Sequence, residues 1–169
     1  MRIVTTGLVA IAVLLSGVPL GRAASPDAWT RSVERGSVYY TCRSSDCGGQ
    51  ALISCRVVGG NAITSTDQFA ARVRSQIEAL RAADRKVVQG ESRSSRVGAR
   101  VLHQTAYSVE VPGTPGPEHF RTGFLVGASE TFSIVSSSPG AATTRRNFDR
   151  FVAGLVSRPS ATSVGDCLP

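Results

Sequence analysis

Residues 65–84, STDQFAARVRSQIEALRAAD, carry the helical pattern around which the rest of the chain is organised. Ser65 can cap the first turn, and Gln68 can reach back to it as in a capping box. A helix of this kind is stable in water only when its apolar face packs against another element. We therefore predict that it lies on the strands encoded before and after it. Its apolar stripe is Phe69, Val73, Ile77 and Leu80.

The flanking segments alternate apolar and polar residues, as expected for strands. A turn at 44–50 joins the first two strands into a hairpin, and the alternation in 97–111 places His103 and Tyr107 on the inward face. Residues 24–36 form a polar lead-in with the only tryptophan, Trp29, and 91–96 form a polar connection. The predicted strands are 37–43, 51–58, 86–89, 97–111, 118–126 and 130–137.

A second helix follows residues 138–140, with Thr143 or Thr144 as its cap. The order of elements predicts an α+β fold. We expect a twisted antiparallel sheet of five to six strands with two packed helices and a disulfide-braced N-terminal hairpin. The apolar stripe of the second helix is Phe148, Phe151, Val152 and Leu155.

The N-terminus has the pattern of a signal peptide spanning residues 1–23. Arg2 precedes the short apolar run Leu8–Leu15, and Gly21 and Ala23 place small residues at the −3 and −1 positions. No cysteine lies near the cleavage site, which argues against a lipoprotein, and no later segment is apolar enough to span a bilayer. We expect a periplasmic or secreted protein with one domain at 24–156 and a C-terminal tail at 157–169.

Four cysteines behind a signal peptide predict two disulfides in an oxidising compartment. Cys42 and Cys47 bracket a short turn, and closing that turn would leave Cys55 to hold the tail through Cys167. Pairing of Cys42 with Cys55, on neighbouring strands, is the alternative. A zinc site is disfavoured because the sequence has no C-x-x-C and neither histidine lies near a cysteine.

The chain is basic, with a formal net charge of +7 that falls to +5 without the two arginines of the predicted leader. Such a charge raises the question of nucleic-acid binding. The arginines are scattered, however, and aromatic residues do not alternate with them as in single-strand binders. We expect a solvated basic surface rather than a nucleic-acid site.

The hairpin, the helix at Thr66–Ala83, the strands from Val97 to Ser137 and the closing helix NFDRFVAGL together resemble the PsbP-like fold group. The resemblance covers residues 29 to 156 and rests on the order of the elements. This group is named for an extrinsic subunit of photosystem II and includes small bacterial envelope proteins. The resemblance implies a non-enzymatic binding or assembly role and assigns no functional residue.

Motifs for catalysis are absent: the sequence contains no G-x-S-x-G, S-x-x-K, H-E-x-x-H or P-loop. A hydrolase would have to use His103, in the middle of a strand, or His119, beside the Pro-rich break. His103 is placed as a hydrogen-bonded core residue, and His119 as an exposed residue at a loop edge. We expect no cofactor and no metal.

The segment TTRRNFDR at 143–150 is the most suggestive surface. Arg145, Arg146 and Arg150 near a helix start could hold an anion with the help of free backbone N–H groups. The competing interpretation is that Asp149 pairs with a nearby arginine and that water solvates the rest.

The sequence therefore predicts a non-enzymatic protein that binds or helps to assemble an envelope component. A small hydrolase using His103 or His119 is one alternative. An electrostatic binder of anionic polymer or lipid head groups is another.

Overall fold

The computed structural model describes residues 28–59, 63–110, 112–157 and 167. The predicted leader and its cleavage site lie outside the described residues. Among the described residues, two helices and one antiparallel sheet confirm the α+β class, although the sheet has eight strands rather than five or six. In chain order the elements are β1 Trp29–Glu34, β2 Ser37–Cys42, β3 Ala51–Gly59, α1 Thr66–Ala82, β4 Lys86–Gln89, β5 Arg93–Val97, β6 Arg100–Glu110, β7 Glu118–Val126, β8 Glu130–Ser138 and α2 Ala141–Val156.

The strands lie in the order β1-β2-β3-β8-β7-β6-β4, and β5 pairs with the same edge of β6 as β4 does. Gln89 of β4 pairs with Tyr107, and Arg93 of β5 pairs with Gln104. Three residues on this edge therefore lie opposite two on β6, which is a β-bulge. The Thr105 hydroxyl is placed to bond the carbonyls of the bulged segment, 3.2 Å from that of Gly90.

Two segments without apolar alternation are nevertheless strands, so the predictions for them were wrong. Residues 29–34, predicted as a lead-in, form the edge strand β1, and residues 93–97, predicted mainly as a connection, form β5. Most of their side chains face water, so these segments lack the alternation of apolar and polar residues by which a strand is predicted. The predicted strand at 97–111 is divided, because Gly98 adopts a φ of 61° and turns the chain between β5 and β6.

Helix α1 packs on one face of the sheet, against β4, β6 and β7. The Ser65 side chain accepts a hydrogen bond from the Gln68 N–H, as predicted. The Gln68 side chain accepts from the backbone N–H of Thr64 at 2.9 Å rather than from that of Ser65, so the capping box is displaced by one residue. The buried core of this layer is Ile63, Phe69, Val73, Ile77, Val87, Tyr107, Val109 and Phe124.

Helix α2 packs on the opposite face, against β3, β7 and β8. It begins at Ala141, so the predicted caps Thr143 and Thr144 lie inside the helix. The Thr144 hydroxyl bonds the carbonyl of Gly140 at 3.1 Å, and two alanines already favour helix in the first turn. A Cβ at Gly123 would lie 2.9 Å from Cζ of Phe148, so this glycine gives the ring room on β7.

The disulfides join Cys42 to Cys47 and Cys55 to Cys167, with Cα–Cα distances of 6.3 and 5.8 Å. The first closes the turn of the β2–β3 hairpin. The second places Cys167 in the α2 core, where Tyr40 also donates a hydrogen bond to the Cys167 carbonyl at 2.5 Å. Residues 158–166 and 168–169 of the predicted tail lie outside the described residues. Two structural disulfides are typical of an oxidising compartment. Within the described ranges, neither helix combines the length and the apolar character of a membrane span.

Candidate anion-binding pocket

A pocket of about 210 Å³ lies between the N-terminal part of α2 and strands β4, β6 and β7. It forms because α2 packs over β3, β7 and β8, while the region beyond them carries two small residues, Ala106 of β6 and Gly90 just after β4. We call it the Arg121 pocket. Its lining residues are Val88, Gly90, Ala106, Tyr107, Ser108, His119, Phe120, Arg121, Ala141, Thr144 and Arg145.

Arg121 lines this pocket from β7 and is only 8% exposed. Its Nε and Nη2 atoms both donate to Oε1 of Gln104, at 2.9 and 2.7 Å. Its guanidinium carbon lies 5.6 Å from the centre of the Phe148 ring, a cation–π contact. The side chain is therefore held in place by neutral partners on β6 and α2.

Positive charge in this region exceeds negative charge. The nearest carboxylate to Arg121 is Asp149, at 3.9 Å from Nε, and Asp149 also pairs with Arg145 at 3.5 Å. Burial lowers the pKa of Arg121; Asp149 opposes this shift, while Arg93 and Arg145 add to it. One half-exposed carboxylate thus pairs with two of these three arginines.

The pocket also has polar groups at its rim. Ser108 and His119 are cross-strand partners on β6 and β7, and within the described ranges no hydrogen bond of the Ser108 hydroxyl or of the His119 ring is found. The N-cap of α2 is Gly140, without a side-chain cap, and its first turn has no acidic residue. The peptide dipoles of α2 therefore favour negative charge at this end.

The predicted anion-binding arginines share one surface, but only one of them reaches the Arg121 pocket. All three line a shallow depression on the outer face of α2, and Arg145 lines the Arg121 pocket as well. Arg145 and Asp149 are four residues apart on α2 and form an ion pair, which is the pairing that the competing interpretation expects. The Arg146 Nε is buried without a hydrogen-bond partner among the described residues. Anion binding by all three arginines together stays a prediction.

The two histidines lie in different environments. His103 is 4% exposed, its Nδ1 is 2.6 Å from the Ser94 hydroxyl, and its ring stacks on Phe69. Ser94 is its cross-strand partner, so the contact is one that sheet pairing itself produces. His119 is partly buried in β7 rather than exposed in a loop. No group of three or more metal-ligating side chains occurs in the described part of the chain.

Sequence reasoning missed Arg121, Gln104 and Arg93 as members of one site. The alternation in β7 does place Arg121 on the face opposite Phe120 and Phe124, together with Gly123. An arginine in the middle of a strand signals a functional site when both faces of that strand are covered. Using this signal requires knowing that the two helices cover opposite faces of the sheet.

No family model and no curated protein matches this chain. A crystal structure of a Pseudomonas aeruginosa protein of unknown function, PA94, a candidate regulator, is similar in fold, with a TM-score of 0.52 at 12% identity. The match covers 82% of this chain and 90% of that one. At this identity the likeness concerns the fold alone.

Proposed function

We propose that this chain is a non-enzymatic periplasmic or secreted protein that binds an anionic ligand, or the anionic group of an envelope component, in the Arg121 pocket. The observation that carries the proposal is Arg121 itself. It is a nearly buried cation on a pocket wall, and its nearest carboxylate is half exposed and shared with Arg145.

A buried guanidinium without a close counter-ion is costly unless other groups compensate it. Gln104 supplies a neutral acceptor, and Asp149 remains 3.9 Å away. An anion in the pocket would add a second negative charge to the one that Asp149 shares between Arg121 and Arg145. The predicted signal peptide and the two disulfides support an oxidising location outside the cytoplasm.

The test uses acetate, succinate, phosphate and glycerol 3-phosphate as probes, at constant ionic strength, with the oxidised mature protein. Ala141→Glu places a carboxylate at the pocket, and it also suits the first turn of α2, so the fold should tolerate it. Ala142→Glu is the matched control, because Ala142 lies in the same turn but does not line the pocket.

We expect at least one probe to raise the Tm of the wild-type protein by roughly 5 °C at saturating concentration. The Ala142→Glu variant should keep this shift and the Ala141→Glu variant should lose it. The proposal fails when no probe shifts the Tm, or when Ala141→Glu responds like the wild type. Loss of the shift in Arg146→Gln or Arg150→Gln instead would place binding on the outer face of α2.

A further inference from the structure

The guanidinium of Arg121 has one of its two bonding edges occupied. Nε and Nη2, which form the side-on edge, both donate to the same oxygen of Gln104. Within the described part of the chain, Nη1 has no hydrogen-bond partner. The end-on edge, formed by Nη1 and the second N–H of Nη2, can still donate two parallel hydrogen bonds to one anionic group.

The net positive charge around Arg121 favours a ligand that carries more than one negative charge. Arg93 pairs with Gln104 across β5 and β6, and therefore points to the same face of the sheet as Arg121. Burial is the main cause of the lowered pKa of Arg121, and the charges of Arg93 and Arg145 lower it further, while Asp149 raises it. Among the described residues, Asp149 is the one carboxylate that pairs with Arg121 and Arg145, so the three arginines and Asp149 have a formal charge of +2.

The residues around the pocket offer more hydrogen-bond donors than the two that a carboxylate uses in a bidentate contact. Besides Arg121, the pocket is lined by Ser108 and His119, which carry a hydroxyl and an imidazole, and by residues of the uncapped first turn of α2. A phosphate group presents three or four oxygens to such a ring of donors. The volume of about 210 Å³ is smaller than that of a typical pocket for a drug-sized ligand, which suits a terminal group.

Resting on the function proposed above, we infer that the anionic group is a phosphate monoester in its dianionic form. Arg121 holds two of its oxygens end-on, while Arg93 and Arg145 neutralise its second charge. Arg93 is then a specificity-determining residue, because a monocarboxylate would leave its charge without a partner.

The test compares glycerol 3-phosphate with glycerate by isothermal titration calorimetry at pH 7.5 and constant ionic strength. We expect glycerol 3-phosphate to bind at least tenfold more tightly than glycerate, as one added charge-assisted contact implies. Arg93→Gln should weaken the phosphate ester about tenfold and glycerate less than twofold. Arg93 is exposed on an edge strand, so its replacement should leave the fold intact.

Arg96→Gln is the matched control. It removes the same charge from the same strand, but Arg96 pairs with Val101 and faces the α1 side of the sheet. Equal loss of phosphate binding in the Arg93 and Arg96 variants would mean a general effect of net charge and would overturn the inference.

Binding of glycerate as tight as that of glycerol 3-phosphate, abolished by Ala141→Glu, overturns the phosphate inference and leaves the proposed pocket standing. Binding of neither probe, nor of any other anion in the panel, overturns both. A second arm identifies the source of the phosphate, using co-sedimentation with phosphatidylcholine vesicles containing phosphatidic acid. Binding to these vesicles points to a lipid head group, and binding to glycerol 3-phosphate alone points to a soluble ester; both results support the inference.

Discussion

Arg100 donates a hydrogen bond to Glu130 over 2.8 Å, almost the same distance as Lys86 to Glu110, but the two ion pairs differ in burial. The Arg100 and Glu130 side chains are 11% and 13% exposed, and Arg100 also donates to the Leu155 carbonyl near the end of α2. The Lys86 and Glu110 side chains are 71% and 53% exposed. The first pair therefore connects the sheet to α2, and the second is largely solvated.

Replacing Arg100 by Ala should lower the free energy of unfolding by roughly 3 kcal/mol, because Glu130 is left buried without its partner. Lys86→Ala is the control and should cost less than about 0.5 kcal/mol, since an exposed pair contributes little. Urea unfolding of both variants and the wild type provides the measurement. Equal losses in the two variants would contradict the importance of burial for this pair.

Gly123 is the position at which we expect a single methyl group to be destabilising. A Cβ there would lie 2.8 Å from the backbone oxygen of His103 and 2.9 Å from the Phe148 ring, so α2 or the strand pairing has to shift. Gly123→Ala should cost about 1–3 kcal/mol. Gly116→Ala is the matched control, because nothing lies within 4 Å of its Cβ position. Thermal unfolding of both variants tests the difference, and a Gly123→Ala variant as stable as the control would refute the steric account.

Long apolar periodicities allowed much of this fold to be predicted from sequence. The stripe of α1, the stripe of α2 and strands β2, β3, β7 and β8 all have one face in a core, and their boundaries agree with the prediction to within a few residues. Strands β1 and β5 lie at edges with mostly exposed polar side chains, so they carry no such pattern. Their pairing is determined by backbone hydrogen bonds to β2 and β6, which the sequence does not display.

The candidate site was less predictable than the fold. Arg145 was identified from a local run of charge, but its contact with the region of Arg121 depends on α2 packing beside β7. Gln104, Arg121 and Arg93 come from three different strands, and only the register of β5, β6 and β7 brings them together. No spacing along the chain signals that convergence.

The disulfide between Cys55 and Cys167 should contribute more stability than the one between Cys42 and Cys47. It joins residues 112 apart in sequence, whereas the other joins residues 5 apart. On the loop-entropy account, the long crosslink stabilises by about 4–5 kcal/mol and the short one by about 2 kcal/mol. The paired variants Cys55→Ser/Cys167→Ser and Cys42→Ser/Cys47→Ser avoid free thiols, and denaturant unfolding measures both. A larger loss from the short crosslink would contradict the entropic ranking.

His103 should make the protein less stable in mild acid. Burial lowers the pKa of His103 below its usual value of 6.5, so the unfolded chain takes up a proton at a higher pH than the folded one. The stabilising effect of the neutral imidazole is complete above pH 6.5 and is lost as the pH falls from 6.5 through the folded pKa. The free energy of unfolding should therefore decrease across that window, beyond the change that the carboxylates cause.

The measurement is urea unfolding at about pH 7.5, 6.5, 5.5 and 4.5, a series that begins above the usual pKa of histidine and runs into mild acid. The wild type, His103→Gln and His119→Gln are compared. His103→Gln keeps a side chain that can bond Ser94 but has no ionisable ring, so its pH dependence should be shallower below pH 6.5. His119→Gln controls for the removal of a histidine that does not contact Ser94. Parallel curves for the wild type and His103→Gln would show that proton uptake by His103 is not coupled to unfolding.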